Sequence, residues 1–262
     1  MRPLTDLAKD DIKNIKLVCF DVDGVTVKKG TKITEIVTKD STESDIITNN
    51  LDDRVKDKLE KLKEYYLIAI NSGRSSMYLR QVFSDIIDEK VALISENGIF
   101  TLFKGELIQF EKFDKETLSV MEKITTDLKE LECREESTCA FEPKQFLITL
   151  HSDTELSEVY DIVEKYDKKK EFSIIWNGEA FDIAPKHLNK GRALKNLTDL
   201  LKIDIKDTMA IANGPNDKTM VDVAGIGVTT EPKELEADFH TTGDQHLGGE
   251  ELIDKLISLN TN

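Results

Sequence analysis

The sequence predicts an α/β protein: a doubly wound, mostly parallel sheet with a smaller α+β segment inserted in it. Three observations lead there. Short apolar runs at 16–20 (KLVCF), 66–70 (YLIAI) and 91–95 (VALIS) alternate with stretches of helical periodicity, the pattern of buried parallel strands covered by helices. From about 99 to 184, strands instead follow one another through turns, as in an antiparallel sheet. The first pattern then resumes, so the expected division is 1–103 and 186–262 for the core and 104–185 for the insert.

Taken in order, KLVCF enters DVDG, a buried strand ending in an acidic turn. The polar stretch 28–50 contains the alternating segment TKITEIVT and reads as a hairpin or flap. Helical periodicity marks 52–64 and 75–88, on either side of the strand that breaks into NSGR. In the insert, FTLFKGELIQF is a hairpin turning at Lys104 and Gly105, 115–132 an amphipathic helix, QFLITLHS a strand, 154–167 a helix, and EFSIIW and EAFDIA two strands. A helix at 190–202, the strand DTMAIA, a helix from 216, short strands at 225–228 and 237–241, and a helix at 248–258 complete the chain.

With 39% hydrophobic residues over 262 positions, the chain can bury a substantial core. Its net charge of -15, from 51 acidic and 36 basic residues, argues against a general grip on nucleic acid or anionic membrane. Cys19, Cys133 and Cys139 are odd in number and lack metal-ligand spacing, which fits free thiols in a reducing compartment. No apolar run approaches the ~20 residues of a membrane span, so a cytoplasmic protein is expected.

FDVDGV at 20–25 sets two carboxylates, Asp21 and Asp23, at the end of a buried strand, with a glycine to allow the sharp exit. A D-x-D-G string arises by composition alone in roughly one chain in fifteen, and by itself it also suits a solvated acidic turn. Three more polar clusters follow apolar strands or open helices: Asn71-Ser72-Gly73-Arg74, Asn189-Lys190-Gly191, and Asn213-Gly214-Pro215-Asn216-Asp217. In an open parallel sheet such ends converge on one crevice.

Over nearly its whole length the chain resembles the haloacid dehalogenase (HAD) superfamily, in particular the capped Cof-type and sugar phosphatase branch related to phosphomannomutase. FDVDGV resembles the first motif, INSGR the second, PKHLNKG the lysine-bearing third and IANGPNDKTM the fourth, while ISENGIF resembles the segment leading into the cap. The resemblance implies a Mg²⁺-dependent phosphatase acting on a small phosphorylated metabolite, with a sugar phosphate favoured. Asp21 would be the nucleophile and Asp23 the acid and base. Ser72, Gly73 and Lys190 would bind phosphate, and Asp21, Asp23, Asn213 and Asp217 would hold the metal. Asn213 departs from the usual aspartate, and an amide oxygen brings no formal charge, so weaker metal binding is expected unless Asp217 compensates.

Arg74, Trp176 and Asn216 are candidates for substrate contact, and Lys144 and His151 for an anionic leaving group. Each also has an ordinary reading: a helix-start arginine, a packed aromatic, solvated polar residues. Two alternatives stay open. A phosphomutase would need a second phosphate site with clustered arginines, whereas 105–185 holds Arg134 alone. A non-catalytic phosphometabolite-binding protein would have lost turnover through Asn213.

Overall fold

The computed structural model describes residues 1–37, 40–132 and 138–261; Cys133, Arg134 and the side chain of Cys139 lie outside what is described. In chain order the elements are β1 (Arg2–Pro3), α1 (Lys9–Ile12), β2 (Leu17–Phe20), β3 (Lys32–Val37), β4 (Thr42–Ile47), α2 (Asp53–Leu62), β5 (Leu67–Asn71), α3 (Ser76–Val82), β6 (Val91–Ser95), β7 (Phe100–Phe103), β8 (Glu106–Gln109) and α4 (Lys115–Glu132). There follow β9 (Thr138–Phe141), β10 (Ile148–Ser152), α5 (Ser157–Tyr166), β11 (Phe172–Trp176), β12 (Ala180–Pro185), α6 (Lys190–Leu201), β13 (Thr208–Ala212), α7 (Lys218–Val223), β14 (Ile226–Thr229), β15 (Phe239–His240) and α8 (Gln245–Thr261). The chain divides into two compact units, one made of 1–30, 49–110 and 188–262, the other of 31–48 and 111–187.

The first unit is built on a sheet in the order β1-β15-β14-β13-β2-β5-β6-β7-β8. Pairing is parallel from β1 to β6 and antiparallel at the β7–β8 edge. This is the mostly parallel α/β sheet expected. The central strand β2 is buried at every residue, and strict alternation gives its sheet two different faces. Val18, Phe20, Ile68, Ile70, Met209 and Ile211 form a bulky face, packed with Val55, Leu59 and Leu62 of α2 and the Leu252 to Leu256 stretch of α8. Cys19, Ala69, Ala92, Ala210 and Ala212 form a face of small side chains, against which Ala193, Leu194 and Leu197 of α6 and Met220 of α7 lie close. That closeness brings the first residue of α6 to the ends of the strands.

Local chemistry explains the helix ends. The Asp52 carboxylate accepts from the Arg54 amide at 2.8 Å and starts α2, and Ser75 starts α3 by accepting from the Tyr78 amide at 3.3 Å. Helical periodicity suggested that α3 runs to 88; it stops at Val82, and Ser84–Ile86 forms a 3₁₀ turn. Phe83 and Ile86, three residues apart, both bury in the core, a spacing that the tighter turn meets. α8 starts earlier than expected, at Gln245, because Glu251 on its second turn gathers the preceding loop, accepting from the Thr242 amide, the Thr242 hydroxyl and the Gly243 amide at 2.8, 2.9 and 2.8 Å.

The second unit has an antiparallel sheet in the order β11-β12-β10-β9. Met121, Ile124, Leu128 and Leu131 of α4 and Val159 and Val163 of α5 pack with Ile148, Leu150, Phe181 and Ile183 on one face. The opposite face carries Thr149, His151 and Asp182. The β3–β4 hairpin belongs to this unit and lies beside β9.

Candidate active site

Four segments of the first unit meet at the carboxyl ends of its parallel strands. Asp21 follows β2 directly, and its amide donates to the Ile211 carbonyl at 3.0 Å, extending the pairing with β13 by one residue. The chain then turns sharply, with the Gly24 amide on the Val27 carbonyl at 2.7 Å. Gly24 has φ +81, and a Cβ there would come within 2.2 Å of the Asn213 amide nitrogen, so both conformation and space require glycine. Ser72 follows β5, with its amide on the Ile94 carbonyl at 3.0 Å and its hydroxyl accepting from the Arg74 amide at 3.2 Å. Gly73 beside it is half-buried.

The SENG segment braces this second loop. Glu96, Asn97 and Gly98 run through positive φ values of 49, 54 and 93, which turns the Glu96 amide to the Arg74 carbonyl and the Asn97 amide to the Ser72 carbonyl, at 3.0 and 3.2 Å. Gly98 also packs where a Cβ would be 2.4 Å from that of Ala193 on α6. The turn and the helix therefore approach to backbone distance.

Lys190 opens α6, whose N-cap is Asn189 accepting from the Arg192 amide at 2.9 Å. Its carbonyl accepts from the Asn71 side chain at 2.9 Å. Its ammonium lies 2.5 Å from Asp21 Oδ1 and 2.5 Å from Asp217 Oδ1. Asp217 is fully buried, and its other oxygen accepts from the Gly214 and Asn213 amides at 3.1 and 3.4 Å. Burial, and then the charge of Asp217, raise the Asp21 carboxyl to about 7, with Lys190 acting in the opposite direction. Burial also works against the charge on Lys190, but the two carboxylates outweigh it and its pKa is raised.

Arg74 reaches Asp23 with Nε and one Nη, each at 3.0 Å, and lies over the Tyr78 ring at 5.2 Å. Asn213 donates from its side chain to the Asp23 carbonyl at 2.9 Å. The sequence-derived residues Asp21, Asp23, Ser72, Gly73, Arg74, Lys190, Asn213 and Asp217 thus lie on the converging ends of one sheet. Asn216 is exposed on the same loop as Asn213. Trp176, in the second unit, packs on Phe181 with ring centroids 4.6 Å apart. Lys144 and His151 belong to a polar network in that unit: Lys144 donates to Thr149 at 2.7 Å and lies 3.4 Å from Glu142, which His151 also meets at 3.4 Å.

Sequence reasoning gave no task to Asn71. Completely buried, it ties the end of β5 to the start of α6, while its own Oδ1 has no hydrogen-bond partner. A polar residue closing the buried run YLIAI was the available signal.

The donors facing a metal would be the Asp21 carboxylate, the Asp23 carbonyl and the Asn213 amide oxygen. All are hard oxygen atoms on adjoining loops, which suits Mg²⁺, although no cluster of three or more His, Cys, Asp or Glu side chains occurs among the described residues. Asp217 has both oxygens engaged already, by Lys190 and by the loop amides.

Residues 128–233, which include Lys190, Asn213 and Asp217, match the family of haloacid dehalogenase-like hydrolases. The phosphoglycolate phosphatase of Methanopyrus kandleri is 23% identical over 164 residues, covering 62% of this chain and 68% of that protein. The Bacillus subtilis protein YkrA is 25% identical over 255 residues, covering 86% of this chain and 91% of its own. Among solved structures, the C-terminal domain of trehalose-6-phosphate phosphatase from C. albicans superposes with a TM-score of 0.68 at 17% identity, covering 97% of this chain and 95% of that one. These matches support a haloacid dehalogenase-like hydrolase. Several of the relatives are named phosphatases.

Proposed function

We propose that this phosphatase hydrolyses a small phosphorylated metabolite, a sugar phosphate by preference, through an aspartyl-phosphate on Asp21 and with Mg²⁺ as cofactor. The observation that carries the reading is the placement of Lys190 between Asp21 and Asp217 at the strand ends. A buried ammonium there orients the nucleophilic oxygen and offers positive charge to an incoming phosphoryl group. The name of the C. albicans neighbour supports a sugar phosphate.

In the first step an Asp21 oxygen forms a bond to phosphorus as the bond to the leaving oxygen breaks. Asp23, protonated on an oxygen that the Arg74 fork has released, supplies the proton to the leaving oxygen. In the second step Asp23 takes a proton from water as the water oxygen attacks phosphorus, which frees Asp21 and inorganic phosphate. Lys190 by charge, and the Ser72 hydroxyl and Gly73 backbone by hydrogen bonding, hold the transferring oxygens. Asp21, the Asp23 carbonyl and Asn213 would hold Mg²⁺, which when bound neutralises phosphoryl charge. Asp217 holds Lys190 and the fourth loop in place, which is a positioning task in this reading. The unit formed by 31–48 and 111–187 is the family's cap and the source of specificity. Cys19 is a buried free thiol, and no helix among the described residues is long and apolar enough to cross a membrane; both accord with a cytoplasmic setting.

The test is phosphate release from an aryl phosphate and a panel of sugar phosphates, with and without Mg²⁺, for the wild type and Asp21→Asn. Metal-dependent release, lost in the variant, is expected. A wild type that binds these esters and turns over none of them is a phosphometabolite-binding protein instead.

A further inference from the structure

Asn213 stands where the resemblance places an aspartate, and the structure gives its side chain a definite task. Its amide donates to the Asp23 carbonyl at 2.9 Å, joining the first and fourth loops directly. The side chain is buried and pressed against the Asp23–Gly24 peptide, so closely that a Cβ on Gly24 would be 2.2 Å from the same nitrogen. A carboxylate in this place would set oxygen against oxygen, two acceptors with no proton, an arrangement that needs a cation between them. The amide needs none.

A cation has to displace that hydrogen bond, and the amide must turn over to present Oδ1, a ligand without formal charge. Asp217 does not supply what is missing, because one oxygen is on Lys190 and the other on the Asn213 and Gly214 amides. Of the nearby charges, Arg74 is spent on Asp23 and Lys190 on Asp21 and Asp217, and the Lys29 side chain lies against Gly24, which leaves no net charge. A divalent ion would make the cluster positive. A phosphoryl group restores the balance.

We propose that Asn213 is a latch: its amide bonds across the place a cation would take and makes cation binding depend on the phosphoryl ligand. The proposal rests on the phosphatase reading of the same site.

Thermal unfolding of the full chain tests it without activity. Wild type, Asn213→Asp and Asn213→Ala are compared in chelator, with Mg²⁺, with inorganic phosphate, and with both. Wild type is expected to respond weakly to Mg²⁺ alone and clearly to Mg²⁺ with phosphate. Asn213→Asp should unfold at a lower temperature than wild type in chelator, and bind Mg²⁺ alone at least roughly tenfold more tightly. Asn213→Ala should share the loss in chelator and gain no Mg²⁺ affinity. The latch is overturned if wild type responds to Mg²⁺ equally with and without phosphate, or if both variants are as stable as wild type in chelator. If Asn213→Asp does not fold, the wild-type and alanine arms decide. Phosphate release without these responses sinks the latch alone, and these responses without turnover sink only the phosphatase reading.

Discussion

Arg74 holds Asp23 by two parallel hydrogen bonds of 3.0 Å, across 51 residues of sequence. The fork matches the carboxylate plane, which a lysine cannot do. Arg74 therefore fixes the carboxylate that, in the proposed reaction, must meet the leaving oxygen. Arg74→Lys keeps the charge and loses the fork, and kcat is expected to fall about tenfold, equivalent to ~1.4 kcal/mol, with a smaller change in KM. Steady-state kinetics on an aryl phosphate would reject this role if kcat were unchanged.

Lys190 is the buried cation shared by Asp21 and Asp217, and Lys190→Met leaves two buried carboxylates facing one another. Breaking such a network by removing one partner costs about 3–5 kcal/mol. Denaturant unfolding should register that loss alongside the disappearance of phosphate release. A variant of wild-type stability would mean that the carboxylates are not charged in the folded protein.

The close approach of the SENG turn to α6 makes Gly98 sensitive in two ways, since its φ is +93 and the nearest Ala193 atoms are 2.4 and 2.9 Å from a built Cβ. Gly98→Ala combines strain with overpacking and should cost about 2–4 kcal/mol. Because the turn also braces the Ser72 loop, KM for phosphate esters should rise. Unchanged stability would show that helix and turn separate easily.

Burial pushes the Cys19 thiol up to about 12, and its sulfur lies 3.5 Å from that of Met220. The reactive thiolate is thus scarce at pH 8. Iodoacetamide treatment of the native protein at that pH, followed by peptide mapping, should leave Cys19 unmodified, and denaturant should expose it. Rapid alkylation of the native protein would contradict the packing of this face.

The residues that meet at the strand ends were legible because most stand just beyond an apolar run, and a parallel sheet gathers such ends. Asp21 after KLVCF, Ser72 after YLIAI and Asn213 after DTMAIA all follow that rule. What the sequence did not disclose depends on partners distant in the chain. The 28–50 stretch reads as a hairpin, but nothing local says that β3 lies beside β9, about a hundred residues later. β9 itself, four residues long, has no alternation to announce it. Trp176 and Arg74 each carry two plausible uses in sequence, and their contacts with Phe181 and Asp23 are not visible there. Asn71 is marked in sequence only as the polar end of YLIAI, and its task is not, since its partner is the Lys190 backbone.

The interleaving of the first unit along the chain has a consequence for its birth on the ribosome. β2 emerges early with Asp21 at its end, but its neighbour β13 and the ammonium that balances Asp21 are encoded far downstream, Lys190 lying 169 residues later. Until that stretch is synthesised, one edge of β2 is bare and its carboxylate has no counter-charge to make burial tolerable. The nascent chain must therefore wait, with its proposed nucleophile in water, and synthesis of the stretch that carries Lys190 and β13 both closes that edge of β2 and completes the site.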